Sequence, residues 1–314
     1  MKYFNKISAE LLVIIAVALF AFSGCGEENI STNAFSDDGK VESHPVSLSV
    51  LVPESPGTDV SDGDGYSIDF SNCTLGYITV TYTGESTKAK LRITAPDEVV
   101  YTYTVFPGDE PATFPLQAGN GCYDVQLYEH AYDDNYALLC DFDISVSLQN
   151  EFLPFLYPNQ YVWFTPGSDT EALAQELIST ESDEVSYLTA VYHYVIGNIS
   201  YDSEKAENTP ADYVPDNDET LAYGKGICFD YASLMASLLR CGGMPARLVM
   251  GYSGNAYHAW ISVYLQESGW IDRVIEFDGE QWQLLDPTLA ASNDSSAVRR
   301  YVGDGSNYIV KYYY

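Results

Sequence analysis

The chain has 314 residues, room for two domains at roughly 100–200 residues each. Hydrophobic residues make up 46% and charged residues 19%, which excludes a disordered or low-complexity chain. Fourteen Lys and Arg against 45 Asp and Glu give a formal charge of −31, a surface that repels phosphate backbones and argues against nucleic-acid binding. The 27 tyrosines suit extended strands with one face in water.

Lys2 and Lys6 precede the apolar run 11–22, LLVIIAVALFAF. Its twelve residues fall short of the about 20 that cross a bilayer, and they suit the central region of a secretory signal. The run ends in Phe22-Ser23-Gly24-Cys25, which resembles the lipobox of bacterial lipoproteins, with Phe22 where Leu is usual. That resemblance implies that residues 1–24 are a cleaved signal and that Cys25 is lipidated. The chain is then extracytoplasmic, anchored to the bacterial cell membrane. An ordinary cleaved signal with an incidental Cys is the alternative. Residues 25–46 are polar, without apolar periodicity, and read as a tether spanning roughly 25 Å.

Residues 47–150 carry short runs of period-two alternation, around Ile78–Tyr82, Leu91–Ile93, Tyr101–Val105, Tyr123–Leu127 and Asp141–Leu148. Turn residues separate them, among them Ala95-Pro96-Asp97, Pro107-Gly108-Asp109 and Gly119-Asn120-Gly121. The spacing predicts an antiparallel β-sandwich. Ser61-Asp62-Gly63-Asp64-Gly65 lacks the acid spacing of an EF-type calcium loop and reads as an acidic turn. Cys73, Cys122 and Cys140 lie in this stretch, and no pairing among them is deducible from sequence.

After the prolines at 154, 158 and 166 the period changes, and residues 151–314 read as a second domain. Helices are expected around Ala172–Ile178 and Leu188–Ile196, then a polar loop over Tyr201–Tyr223, then a helix over Cys228–Arg240. Cys228 thus opens a helix directly after a Gly-containing loop. Helix N-termini present unpaired N–H groups and about half a positive charge, which favour a thiolate and an oxyanion beside it. A buried structural Cys is the rival reading. Strands follow around Met244–Tyr252, His258–Leu265 and Gln281–Leu285, the last ending at Asp286-Pro287-Thr288. Thiol, imidazole and carboxylate therefore fall at element termini, where side chains project into clefts. Asp272 and Asp278 are rivals to Asp286. Cys241 and Trp260 are expected to pack, His193 to be exposed or packed, and Asp230 to serve the first helical turn by its charge. No CxxC or HxxxH spacing suggests a metal site.

GICFDYASLMASLLRCGGMPARLVMGY, then HAW, then LDPT resembles the core of the transglutaminase-like superfamily over about residues 170–290, with the three motifs in the family's order. The resemblance implies an α+β, papain-like catalytic domain, here preceded by the β-sandwich. By the same resemblance Cys228 is the nucleophile, His258 its general base and acid, and Asp286 the residue orienting the imidazole. Tyr201 becomes a candidate second oxyanion donor. The implied reaction is attack on a protein or peptide carboxamide through a Cys thioester. No cofactor is needed. Water as acceptor makes a cysteine peptidase or amidase, which we favour. A lysine amine makes a protein-glutamine transglutaminase, and a vestigial site would leave a non-catalytic binding module. The C-terminal Tyr308–Tyr314 suits either an added edge strand or an exposed tail.

Overall fold

The computed structural model describes residues 44–272 and 308–314, together with the backbone of 276–277 and 282–283. The apolar leader, Cys25, most of the tether, Asp278 and Asp286 lie outside the described residues.

The first half folds as eight strands: β1 (Val60–Gly63), β2 (Tyr66–Asp69), β3 (Tyr77–Tyr82), β4 (Ala89–Thr94), β5 (Val100–Val105), β6 (Gly108–Pro115), β7 (Gly121–Tyr132) and β8 (Asn135–Val146). They form two antiparallel four-stranded sheets, ordered β1-β2-β3-β6 and β5-β4-β7-β8. Alternation explains the layering. Ala89, Leu91 and Ile93 are buried, whereas Lys90 and Arg92 between them are not. The two inner faces meet through contacts such as Tyr103 on β5 against Phe114 on β6, with ring centroids 4.9 Å apart. Strand β6 departs from the sequence expectation, which had only a turn at Pro107-Gly108-Asp109. It carries Pro111 and Pro115 and is tolerated because it lies at a sheet edge, where a missing N–H costs no ladder bond. The acidic stretch at 61–65 is the tip of the β1–β2 hairpin, with Gly65 at φ 75°.

The second half begins with α1 (Asp169–Thr180) and α2 (Glu184–Asn198). Asp183 caps α2, its carboxylate accepting from the Val185 and Ser186 N–H groups at 3.1 and 3.0 Å. The segment read as a polar loop holds two short helices, α3 (Ser203–Asn208) and α4 (Asn217–Tyr223), each started by an Asp. Asp202 accepts from Lys205 N and Asp216 from Glu219 N, both at 2.9 Å. Two-residue strands β9 (Ser200–Tyr201) and β10 (Lys225–Gly226) pair in parallel around this excursion. Helix α5 (Cys228–Cys241) then runs through the core, and β11 (Ala246–Ser253), β12 (Ala256–Leu265) and β13 (Gly269–Asp272) follow. Beyond them lie β14 (Glu276–Phe277) and β15 (Trp282–Gln283), paired with each other. The C-terminal β16 (Tyr308–Tyr313) joins the sheet of the second half at its edge, giving the order β13-β12-β11-β16.

Glu42–Tyr314 cluster as one unit, and tyrosines make much of the join between the strand-rich half and the second half. Tyr101 and Tyr103 on β5 reach Tyr312 and Tyr314, with centroids 5.5 and 5.8 Å apart. Tyr161 sits 4.8 Å from Tyr314 and 5.2 Å from Phe229. Phe229 directly follows Cys228. The aromatic seam therefore braces the start of α5 from the strand-rich side. At the helix's other end the fully buried Arg240 donates to the carbonyls of Ala246, Tyr157 and Tyr314. Burial alone pushes its guanidinium pKa down.

Candidate active site

Cys228 is the first residue of α5, half-buried, with a free thiol. The preceding Ile227 has an extended backbone and no side chain that could cap, so no described side chain occupies the N–H groups of Cys228 and Phe229. Asp230 instead reaches backward. Its Oδ2 accepts from the Ile227 N–H at 2.8 Å, which fixes the turn that presents the thiol.

Asp230 has no solvent-exposed surface, and its charge is answered locally. Lys205, from α3, places Nζ 2.8 Å from Oδ2, and the Tyr213 hydroxyl donates to Oδ1. The Lys205 ammonium also donates to the Tyr213 oxygen at 2.7 Å and lies 4.6 Å from the centroid of that ring. A closed triangle of Lys205, Tyr213 and Asp230 thus backs the turn that carries Cys228. Asp230 is the structural group expected, but Lys205 and Tyr213 were not foreseen. They lie 25 and 17 residues away in a segment with no periodicity.

The backbone explains the glycine two residues before Cys228. A Cβ on Gly226 would fall 2.7 Å from the Asp230 Cβ and 3.0 Å from its Oδ2. Gly226 also accepts from the Asp202 N–H at 2.9 Å, which ties the start of α3 to the strand that leads into Cys228.

His258 is half-buried in β12, paired across the ladder with Gly251. Its ring lies beside Trp260, with centroids 6.2 Å apart, and Tyr308, at 6.5 Å. Trp260 is buried packing, as expected. Gly251 leaves space that β16 uses: a Cβ there would lie 2.0 Å from the Ile309 carbonyl oxygen.

Two phenols register the thiol. Burial raises the pKa of Tyr201 and of Tyr257, and a negative charge on Cys228 raises each further. Tyr201, on β9, pairs with Gly226, two residues before Cys228. Tyr257 directly precedes His258 at the start of β12. Asp272 is removed from the contest for the orienting acid. It accepts from Ser262 Oγ at 2.8 Å and pairs opposite Ser262, about 13 Å along the strand from His258 at 3.3 Å per residue. Asp286 and Asp278 lie outside the described residues, as does Cys25.

Beside α3 and α4 a cavity of about 880 Å³ is lined by Asp202, Lys205, Tyr213, Glu219, Tyr223 and Lys225 among others. It borders the Lys205 triangle, and neither Cys228 nor His258 lines it. Cys241 is buried, and its thiol pKa is pushed up to about 12 by that burial. His193 is exposed on α2. Cys73, Cys122 and Cys140 are free thiols. Among the described residues no group of three His, Cys, Asp or Glu side chains is arranged to hold a metal.

The chain is similar to known proteins over this same region. The family profile of the transglutaminase-like superfamily matches residues 171–273. An uncharacterized protein, YebA, of Bacillus subtilis is 31% identical over 121 residues, covering 32% of this chain and 16% of that protein. A protein-glutamine gamma-glutamyltransferase of Pseudomonas aeruginosa is 37% identical over 60 residues, covering 15% of this chain and 9% of that protein. The chain thus aligns with only a small part of either relative's length. Among solved structures, the periplasmic domain of TgpA from Pseudomonas aeruginosa aligns with 85% of this chain and 86% of its own, at 17% identity and a TM-score of 0.35. The segment that matches the transglutaminase-like superfamily, residues 171–273, holds both the helix-borne Cys228 and the strand that carries His258.

Proposed function

We propose that the chain is a thiol acyl-transfer enzyme acting on protein or peptide carboxamides, with Cys228 as nucleophile, His258 as general base and acid, and Asp286 orienting the imidazole. The observation that carries this reading is the placement of Cys228 as the first residue of α5, before N–H groups that no described side chain caps. Those groups favour negative charge on sulfur and on the oxygen of a tetrahedral intermediate beside it. Tyr201 is the candidate for the second oxyanion donor, supported by its pairing with Gly226, two residues before Cys228.

The chemistry balances without a cofactor. The Cys228 sulfur forms a bond to the carboxamide carbon as the C–N bond breaks, and His258 returns the proton to the departing amine. Water, activated by the same imidazole, then attacks the thioester and yields a carboxylate and free thiol. We favour hydrolysis because water is always present as acceptor. Transamidation to a lysine amine is the second reading, favoured by the 37% identity of a 60-residue stretch to a protein-glutamine gamma-glutamyltransferase. The lipobox-like Cys25 and the apolar leader support an extracytoplasmic, lipid-anchored protein. In that arrangement residues 47–150 brace the catalytic domain 151–314 above the membrane.

A glutamine-bearing peptide tests the reading. Wild type should release ammonia or a cleaved peptide amine and Cys228→Ala neither; equal release of both products from the two proteins refutes the enzyme. A labelled primary amine in the same assay separates the two acceptors, since incorporation at the expense of glutamate formation overturns hydrolysis. Iodoacetamide should label Cys228 rapidly at pH 6 in wild type and slowly in His258→Ala. Slow labelling unaffected by His258→Ala would point to a binding module with a vestigial site.

A further inference from the structure

We propose that Lys205 is a positioning residue for Cys228: its ammonium cancels the charge of the buried Asp230 carboxylate, so that the start of α5 stays open to a thiolate and to the oxyanion beside it. The inference deepens the reading of Cys228 as nucleophile and rests on it.

Asp230 creates the problem that Lys205 answers. Its carboxylate holds the Ile227 N–H at 2.8 Å and so shapes the turn, but it also puts a fully buried negative charge two residues from the nucleophile. A carboxylate at a helix N-terminus offsets the partial positive charge that favours a thiolate there. A like charge in the same helical turn opposes ionisation of the thiol by about one to two pH units, the scale of close charge pairs in proteins. Lys205 Nζ, 2.8 Å from Oδ2, cancels most of that field. The ammonium is itself held by the Tyr213 hydroxyl at 2.7 Å and by that ring's face at 4.6 Å. Helix α3, which carries Lys205, is tied to the strand before Cys228 through the Asp202 N–H to Gly226 carbonyl bond.

The other titratable groups around the thiol leave this balance in place. Tyr201 on β9 and Tyr257 at the start of β12 both have raised pKa values, so they stay neutral across the range in which a thiol titrates. His258, on β12, is common to every variant compared below. The Tyr213 phenol pKa is raised by burial and by the Asp230 carboxylate, which keeps it a neutral donor.

The test is the midpoint of the pH dependence of iodoacetamide labelling at Cys228, read by site-resolved mass spectrometry on the full chain. Charge logic demands shifts of opposite sign. Lys205→Met should move the midpoint up by about one to two pH units, with labelling at pH 7 slowed tenfold or more. Asp230→Asn keeps the shape and an acceptor for Ile227 but leaves Lys205 unopposed, and it should move the midpoint down. Lys205→Arg should stay near wild type, and Lys205→Met combined with Asp230→Asn should return most of the way. Shifts of the same sign in both single variants, or none in either, overturn the proposal. If Lys205→Met does not fold, Asp230→Asn decides alone, since a midpoint unchanged or raised is fatal. Release of ammonia and of a cleaved peptide amine from a glutamine-bearing peptide is read in parallel. Opposed shifts without turnover remove the enzymatic reading only, and turnover with unmoved midpoints removes only the role given to Lys205.

Discussion

Gly226→Ala should damage the site without touching any group that does chemistry. The added Cβ would fall 2.7 Å from the Asp230 Cβ and 3.0 Å from its Oδ2, whereas carbon atoms in contact sit about 3.5–4.0 Å apart. One side must therefore retreat by about 1 Å. Gly226 cannot move freely, because it is buried, paired with Tyr201, and accepts from Asp202 N. Asp230 cannot rotate away, because Ile227, Lys205 and Tyr213 hold both of its oxygens. A 1 Å retreat stretches the two 2.8 Å bonds at Oδ2 beyond hydrogen-bond range. Losing one hydrogen bond to a charged group costs about 1.5–3 kcal/mol, and uncoupling a buried pair costs about 3–5 kcal/mol. We expect Gly226→Ala to destabilise by about 2–4 kcal/mol in urea unfolding followed by circular dichroism. In an Asp230→Gly background, where the opposing Cβ is gone, the same substitution should cost less than about 0.5 kcal/mol. Equal cost in both backgrounds would refute the steric argument, and a negligible cost in wild type would refute the claim that Asp230 is pinned.

Other consequences follow from the packing. Asp183→Ala should cost about 1 kcal/mol at neutral pH through loss of the α2 cap. The Asp183 carboxyl pKa is lowered, chiefly by the Ser186 N–H, so its contribution is present above the unfolded-state value and disappears as pH falls through the folded one. Wild type and Asp183→Ala should therefore converge in stability in strong acid, and a gap that persists there would contradict the linkage. Cys241, buried with its thiol pushed up to about 12, should resist iodoacetamide at pH 8 in the native chain and react once urea unfolds it. Rapid native labelling at that position would count against the burial of the α5 end. Arg240→Met should destabilise by about 3 kcal/mol, because three carbonyls lose their donors while the relief of a desolvated charge returns part of that cost. Arg240→Lys should rescue little, since one ammonium cannot span Ala246, Tyr157 and Tyr314; thermal melts of the two variants that coincide with wild type would refute this bracket.

Local pattern was enough for much of the architecture. Alternation identified the strands now at Ala89–Thr94 and Val100–Val105, because one face of each is buried and the other meets polar surroundings. The glycines around Cys228–Cys241, with apolar residues at helical spacing between them, marked α5 and put the thiol at its first turn. The excursion between Tyr201 and Tyr223 was not legible. Helices of six and seven residues are too short to show a period, and their Asp caps look like any polar loop. Strand β6 was hidden by its prolines and glycine, which read as turn chemistry until a neighbouring strand supplies the pairing. The C-terminal tyrosines fitted a strand or a tail equally well, because an edge strand is defined by its partner, here β11.

The sequence by itself determined that Cys228 opens a helix and that His258 lies on a strand. Helix starts and alternating strands are short-range properties, encoded within a few residues of each position. Only the tertiary structure decided what surrounds them. It brought Lys205 and Tyr213 onto Asp230, carried Asp272 away from His258, and seated the tyrosine seam behind Phe229. Those pairings join residues far apart in the chain, and they depend on how buried charge and aromatic surface are matched in space.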